Sequence, residues 1–257
     1  MSKIQTAFQR GKAFIGFVTA GDPSMEKTEE FILAMVSAGA DLIEIGIPFS
    51  DPIAEGPVIQ QANIRALSAG AKLSGIFSMV EGLRRKIETP LVFLTYFNPV
   101  FHLGCRRFFN ECAKTEVDGI IIPDLPFEEQ PEVRDAAASQ GVEVISLIAP
   151  TSAQRIQRIA AEAEGFLYVV SSMGVTGIRQ NIETDLEGII KTARVTAKVP
   201  AAVGFGINTP KQAADIARFA DGVIVGSAIV KIIAEHRDSA APHLAEYVKT
   251  MKQAITR

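Results

Sequence analysis

The chain has 257 residues, enough for one large domain or two small ones, and its 47% hydrophobic and 21% charged residues are those of a globular protein with a sizeable core. A net charge of -3 and a pI near 5.7, with no basic block, argue against a nucleic-acid or anionic-membrane surface; Arg84-Arg85-Lys86, the densest basic run, reads as the solvated face of a helix. Cys105 and Cys112, within one expected helix, make neither a disulfide framework nor a metal-ligand pattern, and MSKIQTAFQRGK lacks the apolar core of a signal peptide, so a reducing, cytoplasmic setting is expected.

Taken in chain order, short apolar runs rich in β-branched residues recur: AFIGFVT (13–19), DLIEIGI (41–47), PLVFLTY (90–96) and DGIIIPD (118–124) in the first half. VEVISLI (142–148), GFLYVVSS (165–172), PAAVGFG (200–206) and DGVIVGS (221–227) follow in the second. Segments with helical spacing lie between them. Ser24 is the expected cap of a helix ending at Gly39, and Ser74 precedes the helical run GIFSMVEGLRRKI. Thr209-Pro210 supplies a cap and then proline at the first helical position, before KQAADIARFA.

Eight strands alternating with helices predict an α/β fold, a (β/α)8 TIM barrel in a single domain over 1–257. A helix precedes the first strand, and extra helices are expected after the second and eighth. The rival, a doubly wound sheet, usually carries a glycine-rich fingerprint at its first turn, where this chain has TAGDP. The long interval between the second and third strands holds SDPIAEGP and an additional expected helix, VIQQANIRALSAG. Loops after barrel strands build active sites, so this insertion points to function.

Side chains alternate across a strand, so Ile43, Ile45 and Ile47 share one face while Leu42, Glu44 and Gly46 share the other. The isoleucine stripe suits the outer helices. Glu44 then points into the barrel near the C-terminal end of its strand, with Gly46 expected to leave room for a ligand. A glutamate there can pair with an interior lysine or arginine, or lie at a wet barrel end. A buried ionised carboxylate is costly, however, and burial raises its pKa toward the range useful for acid–base catalysis. Pro48, Pro52 and Pro57 stiffen the loop that follows. Within it, Asp51 and Glu55 can hold a ligand donor, cap a turn or close the loop.

Glycine-containing turns follow three late strands: GVTG (174–177), GFGIN (204–208) and GSAIV (226–230). Loops after the seventh and eighth strands, with the N-terminus of an extra helix, form phosphate sites in many barrels. Ser227 adds a hydroxyl. MGVTGIRQN has the composition of a lid, with Thr176 set to touch the acid site on closure. YFNPVFHLG (96–104) reads as an apolar loop on the same face, either a partner surface or a satellite core under the next helix.

These motifs together, in the order FVTAGDP (17–23), IEIGIPFSDPIAEGPVIQ (43–60), PDLPFEE (123–129), VSSMGVTG (170–177), GFGI (204–207) and GSAIVKI (226–232), resemble the tryptophan synthase α-subunit family over almost the whole chain. The resemblance implies a carbon–carbon lyase of tryptophan biosynthesis that cleaves indole-3-glycerol phosphate to indole and glyceraldehyde 3-phosphate, with no cofactor and no metal of its own. Glu44 matches the catalytic acid that protonates the indole ring. Glu55 stands where aspartate is more usual, holding the ring N–H, with its carboxylate one methylene further out. Phe17, Leu94, Tyr96 and Tyr168 match the indole pocket, and Thr176 matches the lid threonine. Gly177, Gly206, Gly226 and Ser227 match the phosphate grip, and Phe205 lies within that same loop of the substrate site. Ser172 and Met173 replace a more polar or basic lid segment. The family also implies a pyridoxal-phosphate-bearing β subunit in an α2β2 complex, contacted through Asp51, Asn98, Pro99 and Phe101, with indole passing directly between the sites. Three alternatives stand beside this reading: a free-standing indole-releasing lyase, a non-catalytic phosphate-binding activator, and a sugar-phosphate isomerase. The apolar YFNPVF loop, the presence of Glu44 and GSA, and the aromatic lining rank them lower. His102, His236 and His243 fall outside every motif.

Overall fold

The computed structural model describes residues 2–170, 185–204 and 206–256. Its first half runs α1 (Lys3–Thr6), β1 (Ala13–Thr19), α2 (Met25–Ser37), β2 (Leu42–Gly46), α3 (Pro57–Ser68), α4 (Leu73–Arg84), β3 (Leu91–Leu94), α5 (Phe97–Leu103), α6 (Cys105–Lys114) and β4 (Gly119–Ile121). The second half continues with α7 (Gln130–Ala138), β5 (Glu143–Val144), β6 (Ser146–Ile148), α8 (Ala153–Ala161), β7 (Leu167–Val170), α9 (Leu186–Arg194), β8 (Ala201–Gly204), α10 (Pro210–Ala217), β9 (Gly222–Val225), α11 (Ser227–His236) and α12 (Ala240–Thr256).

Every strand pairs in parallel, in the order β5-β4-β3-β2-β1-β9-β8-β7-β6. β5 and β6 are one extended run interrupted at Ile145, whose N–H still bonds Ile120 across the gap at 2.9 Å. The list therefore closes on itself as the TIM barrel expected from the sequence. The extra helices after the second and last strands are α3 and α11, and α1 precedes β1.

Alternation along the strands sorts the core into two layers. Ile43, Ile45 and Ile47 join the outer layer against the helices, with Phe14 and Val18 of β1. Leu42, Ile15, Val92, Ile121, Phe166 and Tyr168 fill the interior, closed at the N-terminal end by Ile4 and Ala7. That end is also fastened by a repeated device. Asp41, Asp118 and Asp221 each stand just before a strand. Their backbone N–H groups donate to the carbonyls of Phe14, Leu91 and Ala201, and their carboxylates accept the N–H groups of those same residues at 2.7–2.9 Å. A cation completes each unit: Lys252, Arg84 and Arg194 respectively.

Local caps follow sequence in two helices and depart from it in two. Ser24 accepts from Lys27 N–H, and Thr209 forms a full capping box with Gln212 behind Pro210. Ser74, by contrast, lies inside α4, which begins at Leu73 after Lys72. The stretch read as the loop YFNPVFHLG folds as α5. Its cap comes from far away in sequence, where the Asp124 carboxylate accepts the Phe97 N–H at 2.9 Å.

Candidate active site

β2 carries Glu44 inward with 1% of its surface exposed. Its Oε1 has no hydrogen-bond partner and no lysine or arginine forms an ion pair with it among the described residues, so the reading of an interior salt bridge does not hold. Burial alone pushes its pKa up to about 8. At neutral pH Glu44 is a carboxylic acid with a proton to give.

Gly46 has a different task from the one expected. A Cβ there would lie 2.6 Å from the ring of Phe17, so the glycine admits the neighbouring aromatic side chain. Phe17 forms an apolar cluster with Ile59, Ala62 and Val230 at this end of the barrel. The same logic recurs across the barrel: a Cβ on Gly204 would meet the Tyr168 hydroxyl at 2.3 Å.

Glu55 ends the proline-fenced loop just ahead of α3, whose first residue is Pro57. It is 7% exposed, and its Oε2 accepts from Asn63 Nδ2 at 2.8 Å. Burial pushes its pKa up to about 7, while the Asn63 hydrogen bond pulls the other way. Gln60 Nε2 donates to the Glu55 carbonyl at 2.7 Å, and Ala54 N–H donates to the Tyr96 hydroxyl at 2.9 Å. The loop is thus held by α3 on one side and by a buried tyrosine on the other.

These groups meet at one cavity with about 600 Å³ of empty space, counted out to its mouth. Glu44, Glu55, Phe17, Leu94 and Tyr168 line it, as expected from sequence, and Gly206, Gly226 and Ser227 form part of the same wall. Ser227 is the first residue of α11, and Gly206 has a φ of +83°, a conformation suited to glycine. The N–H groups of that helix end, which no side chain caps, and the serine hydroxyl are fit to receive an anion. Tyr96 stands apart from the lining and supports the Glu55 loop from behind, its ring tilted against Phe49 with centroids 5.3 Å apart.

Of the residues expected at the partner face, Asp51 and Asn98 are exposed, and Asp51 accepts a hydrogen bond from the Ser50 hydroxyl. Pro99 is half-buried. Phe101 is 70% exposed on α5, whereas Val100 is fully buried, so the apolar segment divides between core and surface. Ile53 on the Glu55 loop is 72% exposed. Thr176, Gly177, Phe205, Ser172 and Met173 lie outside the described residues.

Sequence reading missed Ile59, Pro123, Ile207 and Ile224 in the cavity wall, and Asn63 and Gln60 behind Glu55. Apolar residues give no local sign that they face a ligand. Asn63 did leave a signal: it interrupts the buried stripe Ile59, Ala62, Ala66 of α3 with an amide.

The family model for the tryptophan synthase alpha chain matches residues 4–256. This chain belongs to that family. It is 47% identical to the tryptophan synthase alpha chain of Lactiplantibacillus plantarum over 256 residues, covering 99% of this chain and 97% of that one. The Lacticaseibacillus casei alpha chain is 44% identical, with 99% and 96% covered. Among solved structures, the alpha subunit from Legionella pneumophila superposes with a TM-score of 0.90 at 35% identity, covering 100% of this chain and 99% of that one. The Pyrococcus furiosus protein, solved as an α2β2 complex and described in terms of mutual activation, superposes at 0.88 with 37% identity and 95% and 99% coverage.

Proposed function

We propose that this alpha chain is a lyase that cleaves indole-3-glycerol phosphate to indole and glyceraldehyde 3-phosphate, with Glu44 as the proton donor and Glu55 as the acceptor for the ring N–H. The observation that carries the reading is a buried carboxyl, its Oε1 without a partner among the described residues and its pKa raised by burial, in the wall of an apolar cavity that also holds a second, anchored carboxyl. Phe17, Ile59, Leu94 and Ile224 offer flat apolar contact suited to an indole ring, and Gly206, Gly226 and Ser227 offer donors suited to its phosphate.

The proton account closes without a cofactor in this chain. Glu44 gives its proton to ring carbon C3, and the positive charge that develops toward the ring nitrogen is stabilised by the Glu55 carboxylate. The Glu44 carboxylate then takes the proton of the hydroxyl on the adjoining side-chain carbon. The bond from C3 to that carbon breaks, its electron pair restores the ring, and the carbon leaves as an aldehyde. Glu44 ends protonated, ready for another turnover.

Exposed Ile53 and Phe101, each on a segment following a barrel strand at the cavity end, support docking of a pyridoxal-phosphate-bearing β subunit there. The α2β2 assembly of the Pyrococcus furiosus relative supports the same arrangement.

The test is indole release from indole-3-glycerol phosphate by wild type and Glu44→Gln, each with and without a tryptophan synthase β subunit. Slow wild-type release that rises with β and vanishes in the variant is expected. Fast release without β would favour a free-standing lyase, and no release in any mixture would refute the reaction.

A further inference from the structure

Glu55 needs two properties to receive a ring N–H: it must be ionised, and it must point into the cavity. Its surroundings oppose the first. Burial raises its pKa, and among the described residues the titratable groups facing it are Glu44 in the same cavity wall, Tyr168 beside Glu44, and Tyr96 behind the loop. None of these is a cation. Arg65, on the same helix as Asn63, is committed elsewhere: its Nε and Nη2 bind both oxygens of the buried Asp22 at 2.8 and 2.6 Å. The side chain that works in the ion's favour is Asn63, 4% exposed, with its amide 2.8 Å from Glu55 Oε2.

The second property has the same source. A glutamate has one more rotatable bond than an aspartate, and an unrestrained carboxylate would spread over several rotamers. α3 limits that freedom at two points one helical turn apart, Gln60 on the Glu55 carbonyl and Asn63 on its carboxylate. The Arg65–Asp22 pair fixes α3 in turn to the loop after β1. An amide on the otherwise apolar inner stripe of α3 would be costly without a partner, and its partner is this one carboxylate.

We infer that Asn63 is a positioning residue for the lyase reaction: its amide holds the Glu55 carboxylate ionised and aimed into the cavity, so that α3, more than the proline-fenced loop, sets where the ring nitrogen is received. The inference rests on the role given to Glu55 above.

Two readouts test it. The first is the side-chain carboxyl titration of Glu55, followed by carbon NMR on glutamate-labelled protein and assigned with Glu55→Gln. Asn63→Ala should move that titration upward by about one pH unit or more, since a hydrogen bond to a charged group is worth that much. The second is the pH profile of kcat/KM for indole release. Asn63→Ala should shift the acidic limb up by a matching amount and lower the rate at pH 7 by roughly tenfold. Added to Glu55→Gln, it should cost less than about twofold further, because the two act as one unit. Glu55→Asp with Asn63→Gln moves one methylene across the pair and should recover more activity than the product of the single losses predicts. That double variant also carries the test if Asn63→Ala fails to fold. An unmoved Glu55 titration overturns the inference whether or not the chain releases indole. An unmoved acidic limb in an active wild-type background, or fully additive losses, overturns it and leaves the lyase reading intact. No wild-type indole release, with a shifted titration, would refute the lyase reading while upholding Asn63 as the residue that holds Glu55 ionised.

Discussion

The two ends of this barrel treat carboxylates in opposite ways. At the N-terminal end, Asp41, Asp118 and Asp221 each accept a backbone N–H from the neighbouring strand and each meet a lysine or arginine. At the C-terminal end, Glu44 is buried more deeply than any of them and, among the described residues, has neither a cation nor a partner for its Oε1. The first arrangement ties each carboxylate to a neighbouring strand and to a cation, and so fastens strands. The second leaves Oε1 without a partner among the described residues, and burial raises the acid's pKa. Position in the barrel, through the partners it supplies, decides whether a carboxyl fastens strands or is left without an ion partner, as the proposed proton donor is among the described residues.

The comparison can be broken by exchanging what each end loses. Glu44→Gln is expected to lower indole release by about a thousandfold, the scale of a lost general acid, while the chain stays folded. A rate within a few-fold of wild type would remove the acid from the account. Asp118→Asn should do the reverse: Arg84 has a side chain only 5% exposed and loses its ion partner, so about 3 kcal/mol of stability goes, read from the urea midpoint, with kcat nearly unchanged. A fall in kcat matching that of Glu44→Gln would show that the two ends are not separable.

Linkage sharpens the contrast further. Glu44 and Glu55 bind protons more tightly in the folded chain than in the unfolded one, since both are raised from 4.5, to about 8 and about 7. Between the unfolded and folded values the native state holds the extra protons, so their contribution to stability is greatest below pH 4.5 and falls as pH rises through 7 and 8. Glu44→Gln should therefore gain stability relative to wild type between pH 5 and pH 8, in paired urea titrations. A constant difference over that range would contradict a raised Glu44. The smallest expected effect is at the rim. Phe101→Ser should leave unfolding within about 0.5 kcal/mol, as for an exposed side chain, yet weaken stimulation by a β subunit several-fold. Unchanged stimulation would move the partner surface elsewhere.

The inward aim of Glu44 was legible because strand alternation is a local rule and the isoleucine stripe left one face for the acid. Glu55 was less so: within its loop, sequence alone allowed three uses, and the side chain that anchors it, Asn63, lies eight residues on and across a helix start. α5 escaped notice for a similar reason. Its capping carboxylate, Asp124, arrives from the following βα unit, 27 residues away, so no short-range signal marked the helix. Gly46 was read as room for a ligand, and only the fold shows that Phe17 fills it. Patterns of period two and period 3.6 gave the barrel, whereas contacts between successive βα units built the site.

The most direct measurement is the titration of the Glu44 side-chain carboxyl by carbon NMR in glutamate-labelled protein, assigned with Glu44→Gln. The account predicts a midpoint near 8, so that Glu44 carries its proton at neutral pH. A midpoint near the ordinary glutamate value of about 4.3 would mean an ionised group with no proton to give, and would contradict it.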